Sequence, residues 1–297
     1  MSRVGVIGLG NIGGAIATNL LADKHQLTVH DTDAARVQAL ARAGATVGDS
    51  PAAVAERSEI TFMSLPNPPV VEAVAHAWLA GAARDAVLVD LSTNAPAMVR
   101  AIGARLTAAG RHLLEAPLTG GAPGAQARAL VFMVGGERAV YERCLPLLQK
   151  LGRAVLHLGP LGHGNTAKLV NSLMAFGATC LSLEGLAIAA KSGIDPRAMI
   201  DVIRTGGAGN FFTDRMVEGI NQRGRPTQFA LALAAKDAGL LLDVAREAGV
   251  PVPVAAEVAQ ALVAAVGAGL GERDFTDIVE LIERQAGVTL TLRPASS

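Results

Sequence analysis

The sequence predicts an α/β protein, with a doubly wound, mostly parallel sheet in residues 1–160 and an all-α domain in residues 161–297 joined to it by a long helix. Three observations carry this. Short β-rich runs alternate with alanine-rich helical runs up to about residue 158. A glycine-rich turn, Gly8 to Gly14, separates the first such run from the first helix. After Gly159-Pro160 the strand signal stops. At 297 residues, and about 150 residues per domain, two domains are expected.

The elements follow in order. Arg3–Ile7 reads as the first strand. Val4–Ala22 carries no charge and imitates a signal peptide or a membrane span, down to the small-residue triple Ala15-Ile16-Ala17. Gly8, Gly10, Gly13 and Gly14 each weaken a continuous helix by roughly 1 kcal/mol relative to alanine. Asn11 and Asn19 would need partners in hydrocarbon. The run is therefore read as strand, turn and helix (Asn11–Ala22), and the chain as cytoplasmic with no membrane partner. Further strands are expected at Gln26–His30, Ile60–Ser64, Ala86–Asp90, His112–Glu115, Leu130–Val134 and Ala154–His157. Helices are expected at Asp33–Ala43, Val70–Leu79 and Ala97–Ala109. Ser50-Pro51 has the form of an N-cap followed by proline at the first helical position.

In the second half, residues from about Asn165 to Ser192 predict one long helix, stopped by Gly193 and Pro196. Between Leu169 and Ala190 its only formal charge is Glu184. A helix apolar all round needs cover on every side, and at about 1.5 Å per residue this one is roughly 40 Å long. Half a chain hardly wraps it, so a homodimer or homotetramer through this helix is expected. Breaks near Gly206–Gly209, Gly249–Pro253 and Gly267–Gly271 separate further helices.

Composition narrows the function. The 26 basic and 26 acidic residues cancel, which excludes the broad positive footprint of a nucleic-acid or anionic-membrane binder but leaves room for a local anion pocket. Cys144 and Cys180 make neither a disulfide scaffold nor a four-ligand zinc site. The six histidines lack metal-ligand spacing, so no metal is expected, and His157 and His163 read as core or surface residues.

Gly8-Leu9-Gly10-Asn11-Ile12-Gly13 matches G-x-G-x-x-G, and its setting between a strand and a helix makes the first domain Rossmann-type. Glycines there permit the tight turn, the approach of backbone to a pyrophosphate and the close contact of helix and strand. Asp31 follows at the end of the second strand, where an acidic group binds the adenosine ribose 2′-hydroxyl. Its competing role is a helix N-cap, for which Asp33 is the rival. A carboxylate repels a 2′-phosphate by a few kcal/mol at an effective dielectric of about 20. The nearest cation, Arg36, lies a helical turn away. NAD is therefore favoured over NADP.

Three further segments stand out: Glu115-Ala116-Pro117-Leu118-Thr119-Gly120-Gly121; Gly164-Asn165-Thr166-Ala167-Lys168-Leu169-Val170-Asn171-Ser172; and Phe229 with Lys236-Asp237 and Leu240. With the glycine motif, this set resembles the β-hydroxyacid dehydrogenase family, which includes 3-hydroxyisobutyrate dehydrogenases and tartronate semialdehyde reductases. The resemblance runs from residue 3 to about 285. It implies that Lys168 is the catalytic lysine and that Thr119, Gly120 and Gly121 hold the substrate. It further implies that Leu65, Pro66, Asn67 and Thr93 line the cofactor and that Lys236 lies close to the nicotinamide. Two positions depart from the family pattern: Thr119 where serine is usual, and Ser172 where asparagine is usual. Asn171, one position earlier, matches.

The residues have their own logic beside the resemblance. Lys168, Asn171 and Ser172 occupy i, i+3 and i+4 and share a helical face. A lysine at the entrance to an apolar helix is partly desolvated, which lowers its pKa from about 10.4 toward the 7–8 that suits proton transfer. Thr119–Gly121 offers exposed backbone donors with little bulk, as a carboxylate-binding nest requires. Lys236 has an alternative in pairing with Asp243, and Glu115 and Asp90 read equally as structural caps. The expected activity is hydride transfer between a nicotinamide and a small 3-hydroxy acid, or reduction of the matching semialdehyde. An imine reductase on the same scaffold and a non-catalytic NAD-binding protein are the alternatives.

Overall fold

A computed structural model describes residues 2–209 and 211–292. The chain divides into two compact units, Met1–Lys168 and Leu169–Ser297.

Among the described residues, the first unit carries nine strands. Six of them, β1 (Arg3–Ile7), β2 (Gln26–His30), β3 (Thr46–Val47), β4 (Ile60–Met63), β5 (Val87–Asp90) and β6 (His112–Glu115), form one wholly parallel sheet in the order β3-β2-β1-β4-β5-β6. The reversal of direction on either side of β1 is the switch point at which doubly wound sheets bind ligands. Helices α1 (Asn11–Ala22), α2 (Ala34–Arg42), α3 (Pro51–Glu56), α4 (Pro68–Leu79) and α5 (Pro96–Ala108) are the crossovers. Strand residues alternate between two cores: Val87 and Val89 join Val4, Val6, Ile16 and Phe62, while Leu88 joins Ile7, Met63 and Trp78. The expected strands and helices lie within one or two residues of these. Val4–Ala22 is spent on β1, the glycine turn and α1.

The remaining strands do not extend that sheet. β7 (Leu118–Thr119), β8 (Leu130–Val134) and β9 (Gly152–His157) form a separate three-stranded sheet, antiparallel between β7 and β8 and parallel between β8 and β9. Between them lie α6 (Gly121–Gln126) and α7 (Arg138–Leu151). Val140, Cys144, Leu147 and Leu151 bury one face of α7, while the exposed Pro146 inside it breaks the pattern that would reveal it from sequence.

Helix α8 (His163–Lys191) is continuous and ends at Gly193, whose φ of 81° closes the turn. The second unit adds α9 (Pro196–Thr205), α10 (Phe211–Asn221), α11 (Leu231–Ala248), α12 (Pro253–Ala265) and α13 (Val279–Ala286). Phe176, Leu183 and Leu186 of α8 pack with Leu231, Leu262 and Ile278 in its core. Its polar frame is ionic: Arg223 grips Glu283 through two bonds of 2.7 Å, and the buried Asp274 takes Arg225 at 2.9 Å.

Candidate active site

One row of residues crosses the six-stranded sheet at its carboxyl edge: His30, Ile7, Met63, Asp90 and Glu115 are successive register partners. The loops that leave this row are those singled out in the sequence. They begin at Asp31, Gly8, Ser64, Leu91 and Ala116.

The first loop is a backbone cradle. Gly8 has φ of 85°, and a Cβ on Gly13 would run into the Gly8 carbonyl, so neither position accepts a side chain. Gly10 caps α1 without any side-chain bond, so the first turn of the helix meets the loop as bare backbone. Asn11 and Ile12 begin that turn. The Leu9 N–H donates to Asp31 Oδ2 at 2.5 Å, and the Asp33 N–H donates to Asp31 Oδ1 at 2.8 Å. Asp31 is not the cap of α2. Asp33 is, accepting from the Ala35 N–H at 2.9 Å and the Arg36 N–H at 3.4 Å. Arg36 in turn pairs with Asp33 at 3.1 Å, and Nη1 of Arg36 would lie 3.7 Å from a Cβ on Gly10. This bare, glycine-walled turn fits a dinucleotide pyrophosphate.

The next two loops are tied together. Leu65 N–H donates to Ser92 Oγ at 3.0 Å, and the Ser92 N–H to Asp90 Oδ1 at 2.9 Å. Leu65 and Pro66 lead to Asn67, which caps α4 by accepting from the Val70 N–H at 3.1 Å. Thr93 follows Ser92 and is half-buried. Burial pushes the Asp90 carboxyl up to about 7, and the neighbouring Glu115 adds to the rise against the bonds from Ser92 and Asn94.

After β6 the chain turns through Pro117 into Thr119, which is half-buried and pairs with Val131. Gly120 and Gly121 have φ of 119° and 60°. Two successive left-handed residues thus stand at the head of α6, a conformation that favours glycine at both positions.

Helix α8 brings Lys168, half-buried, to one turn beyond its capped start. The cap is remote: the buried Glu115 carboxylate accepts from the N–H groups of Gly162, Gly164 and Asn165. This starts the helix at His163 rather than near Asn165. Burial raises the Glu115 carboxyl, while those donors pull it back toward the charged form. Glu115 and Asp90 are thus structural, as one of their two readings has it. Asn165 and Asn94, both fully buried, join them. Sequence reasoning gave these two no role, because the bond that joins them spans 71 positions of the chain.

In the second unit, Asn171 and Ser172 follow Lys168 on α8, the first exposed and the second buried. Lys236 belongs to α11. Its ammonium lies 3.1 Å from the adjacent Asp237, which is buried, and Asp243 is taken by Arg246 at 2.9 Å. His157 bonds the Gly136 carbonyl and packs on Tyr141, and His163 bonds the Leu158 carbonyl. Among the described residues no cluster of three potential metal ligands occurs.

Comparison with known proteins agrees with this fold. Residues 3–159 match the family model for the NAD binding domain of 6-phosphogluconate dehydrogenase. Residues 162–282 match that for the NAD-binding region of NADP-dependent 3-hydroxyisobutyrate dehydrogenase. The chain is 32% identical to a 2-(hydroxymethyl)glutarate dehydrogenase of Eubacterium barkeri over 97% of each chain. It is 30% identical to a 3-sulfolactaldehyde reductase of Escherichia coli, over 99% of this chain and all of that one (100%). A solved 3-hydroxyisobutyrate dehydrogenase of Mycobacterium tuberculosis, crystallised with L-serine, superposes with a TM-score of 0.86 at 25% identity, covering 95% of this chain and 99% of that chain.

Proposed function

The chain belongs to the β-hydroxyacid dehydrogenase family and is an NAD(P)-dependent oxidoreductase of small hydroxy acids and their semialdehydes; from that premise we propose the following division of labour. Residues 1–160 serve the dinucleotide, and residues 161–297 serve the substrate and the contact between subunits. Gly8 to Gly13 receive the pyrophosphate, Asp31 the adenosine ribose, and Leu65, Pro66, Asn67, Thr93 and Lys236 line the rest of the cofactor. The Thr119–Gly121 nest binds the substrate carboxylate, and Asn171 and Ser172 are likewise assigned to the substrate.

The bound nicotinamide supplies or accepts the hydride at the hydroxyl carbon. Lys168 handles the accompanying proton: its neutral amine takes the hydroxyl proton during oxidation, and its ammonium returns one to the alkoxide during reduction. The observation that carries this reading is the anchorage of α8. Its first turn is bonded to the ends of β5 and β6 through Asn165 and Glu115, so Lys168 rises from the edge where the dinucleotide loops open. The lysine also argues against the imine-reductase alternative, and a protein that merely binds NAD has no need of it.

NAD is the proposed coenzyme. Asp31 carries a carboxylate at the position proposed for the adenosine ribose, and the nearby cation, Arg36, is engaged by Asp33. The enzyme is proposed to be cytoplasmic and to assemble as a homodimer or homotetramer through α8, whose exposed Val170, Met174, Leu181 and Ile188 need cover. A panel of 3-hydroxy acids and semialdehydes, each assayed with NAD/NADH and NADP/NADPH and reported as kcat/KM, tests the activity. Turnover of none of them would end the reading.

A further inference from the structure

Among the described residues, Glu115 faces four donors: the Gly162, Gly164 and Asn165 N–H groups at 2.5, 3.0 and 3.1 Å, and Asn165 Nδ2 at 2.5 Å. A glutamine in its place would turn an NH2 group against one pair of donors in either orientation. Asn165 uses both ends of its amide. Nδ2 donates to Glu115, and Oδ1 accepts from the Asn94 N–H at 2.7 Å. Asn94 donates its own side-chain NH2 to Asp90 at 2.8 Å. All four residues are buried. The chain Glu115–Asn165–Asn94–Asp90 therefore runs from the end of β6, through the first turn of α8, to the end of β5. Asn94 directly follows Thr93, and Lys168 lies one helical turn after Asn165. A single side-chain amide thus couples the loop assigned to the cofactor to the turn that carries the lysine.

We propose that Asn165 is a positioning residue for hydride and proton transfer, fixing the height and rotation of the Lys168 turn against the Thr93–Asn94 loop. This rests on the reading of Lys168 given above. Without the amide, the Glu115 bonds to backbone still cap the helix, so α8 forms. What is lost is the lateral tie to the loop. A displacement of about 1 Å at the reacting groups is enough to cost on the order of 10²-fold in rate. A residue that only stabilised the fold would lower the melting temperature and leave kcat alone.

The test uses the full-length enzyme, NAD and the best compound of the hydroxy-acid panel, with and without deuterium at its hydroxyl carbon. For Asn165→Ala, kcat is expected to fall by roughly 10²-fold while both KM values stay within about threefold. The primary isotope effect on kcat should rise, because the transfer step becomes limiting. An Asn165→Ala enzyme whose kcat stays within about twofold of wild type overturns the proposal, whatever happens to its melting temperature. If that variant fails to bind NADH, the near-isosteric Asn165→Leu, which fills the space without the amide and leaves Glu115 on its backbone donors, decides. Its kcat should again fall by roughly 10²-fold, and a kcat within about twofold of wild type refutes the proposal. Lys168→Ala is assayed alongside. Wild-type turnover there removes the acid–base reading and this proposal together, whereas an inactive Lys168→Ala beside a fully active Asn165→Ala removes this proposal alone.

Discussion

The Leu9 N–H donates to Asp31 Oδ2, so the carboxylate that ends β2 is held directly over the glycine turn that ends β1. The two loops are locked to each other before any cofactor arrives. The lock also fixes a negative charge at the position proposed for the adenosine ribose, where NAD and NADP differ.

Replacing that charge is expected to shift coenzyme choice. An asparagine at this position keeps an oxygen for the Leu9 N–H but removes a repulsion that reaches about 4 kcal/mol at 4 Å and an effective dielectric of 20. Asp31→Asn should raise the ratio of kcat/KM for NADP over NAD by at least ~10-fold, even a fraction of that repulsion sufficing. Steady-state kinetics with both coenzymes checks it. An unchanged ratio would move the discrimination away from Asp31.

In the proposed mechanism Lys168 carries the proton transfer. Lys168→Ala is expected to lower kcat by at least ~10²-fold in both directions, with NADH binding by fluorescence titration intact. Lys168→Arg should fare no better, since a guanidinium keeps its proton at any working pH. Wild-type turnover by either variant would defeat the assignment.

How far the sequence reveals this architecture depends on how local each determinant is. The glycine turn is legible because its signal, strand then G-x-G-x-x-G then helix, lies within one short stretch. Ser50-Pro51 is legible for the same reason, with Ser50 Oγ accepting from the Ala53 N–H at 3.1 Å. The start of α8 is not, because its cap is Glu115, on a strand that precedes it by some 47 positions. Asn165 gives no local hint that it bridges two loops. Around Lys236, helical spacing offers Asp243 as a partner but gives no hint of the adjacent Asp237, onto which the flexible lysine stem lets the ammonium fold back. The split of the strands into two sheets is equally invisible, since it follows from the turn at Pro117 and not from any strand's composition.

Acid should weaken the second unit through Asp274. Burial alone would push this carboxyl up. Arg225, the Gln228 N–H and Thr276 overcome that and hold it at about 2, below the ordinary 3.8. Its folded pKa lies below its unfolded one, so its contribution is complete above the unfolded value and disappears as pH falls toward 2. The size is roughly 2 kcal/mol. Asp274→Asn is therefore expected to lower the melting temperature at pH 7 and to converge with wild type as pH approaches 2. Melting curves by circular dichroism across that range test this. A deficit that stays constant with pH would assign the loss to packing, not to charge.

The apolar stripe on α8 calls for a second copy of the chain. Val170, Met174, Leu181 and Ile188 are 48%, 67%, 63% and 68% exposed, and the last three recur at heptad spacing along one face. Such spacing suits a helix packed lengthwise against another helix. A stripe of this kind left in water is a liability, and its match to itself under a two-fold axis makes an identical chain the natural cover. Wild-type protein is expected to sediment as a dimer or tetramer at micromolar concentration. Leu181→Glu, at a position that contributes little to the subunit's own core, should sediment as a folded monomer, because a two-fold contact brings both new carboxylates into one apolar seam. A wild-type chain that sediments as a monomer would show that the stripe has some other cover.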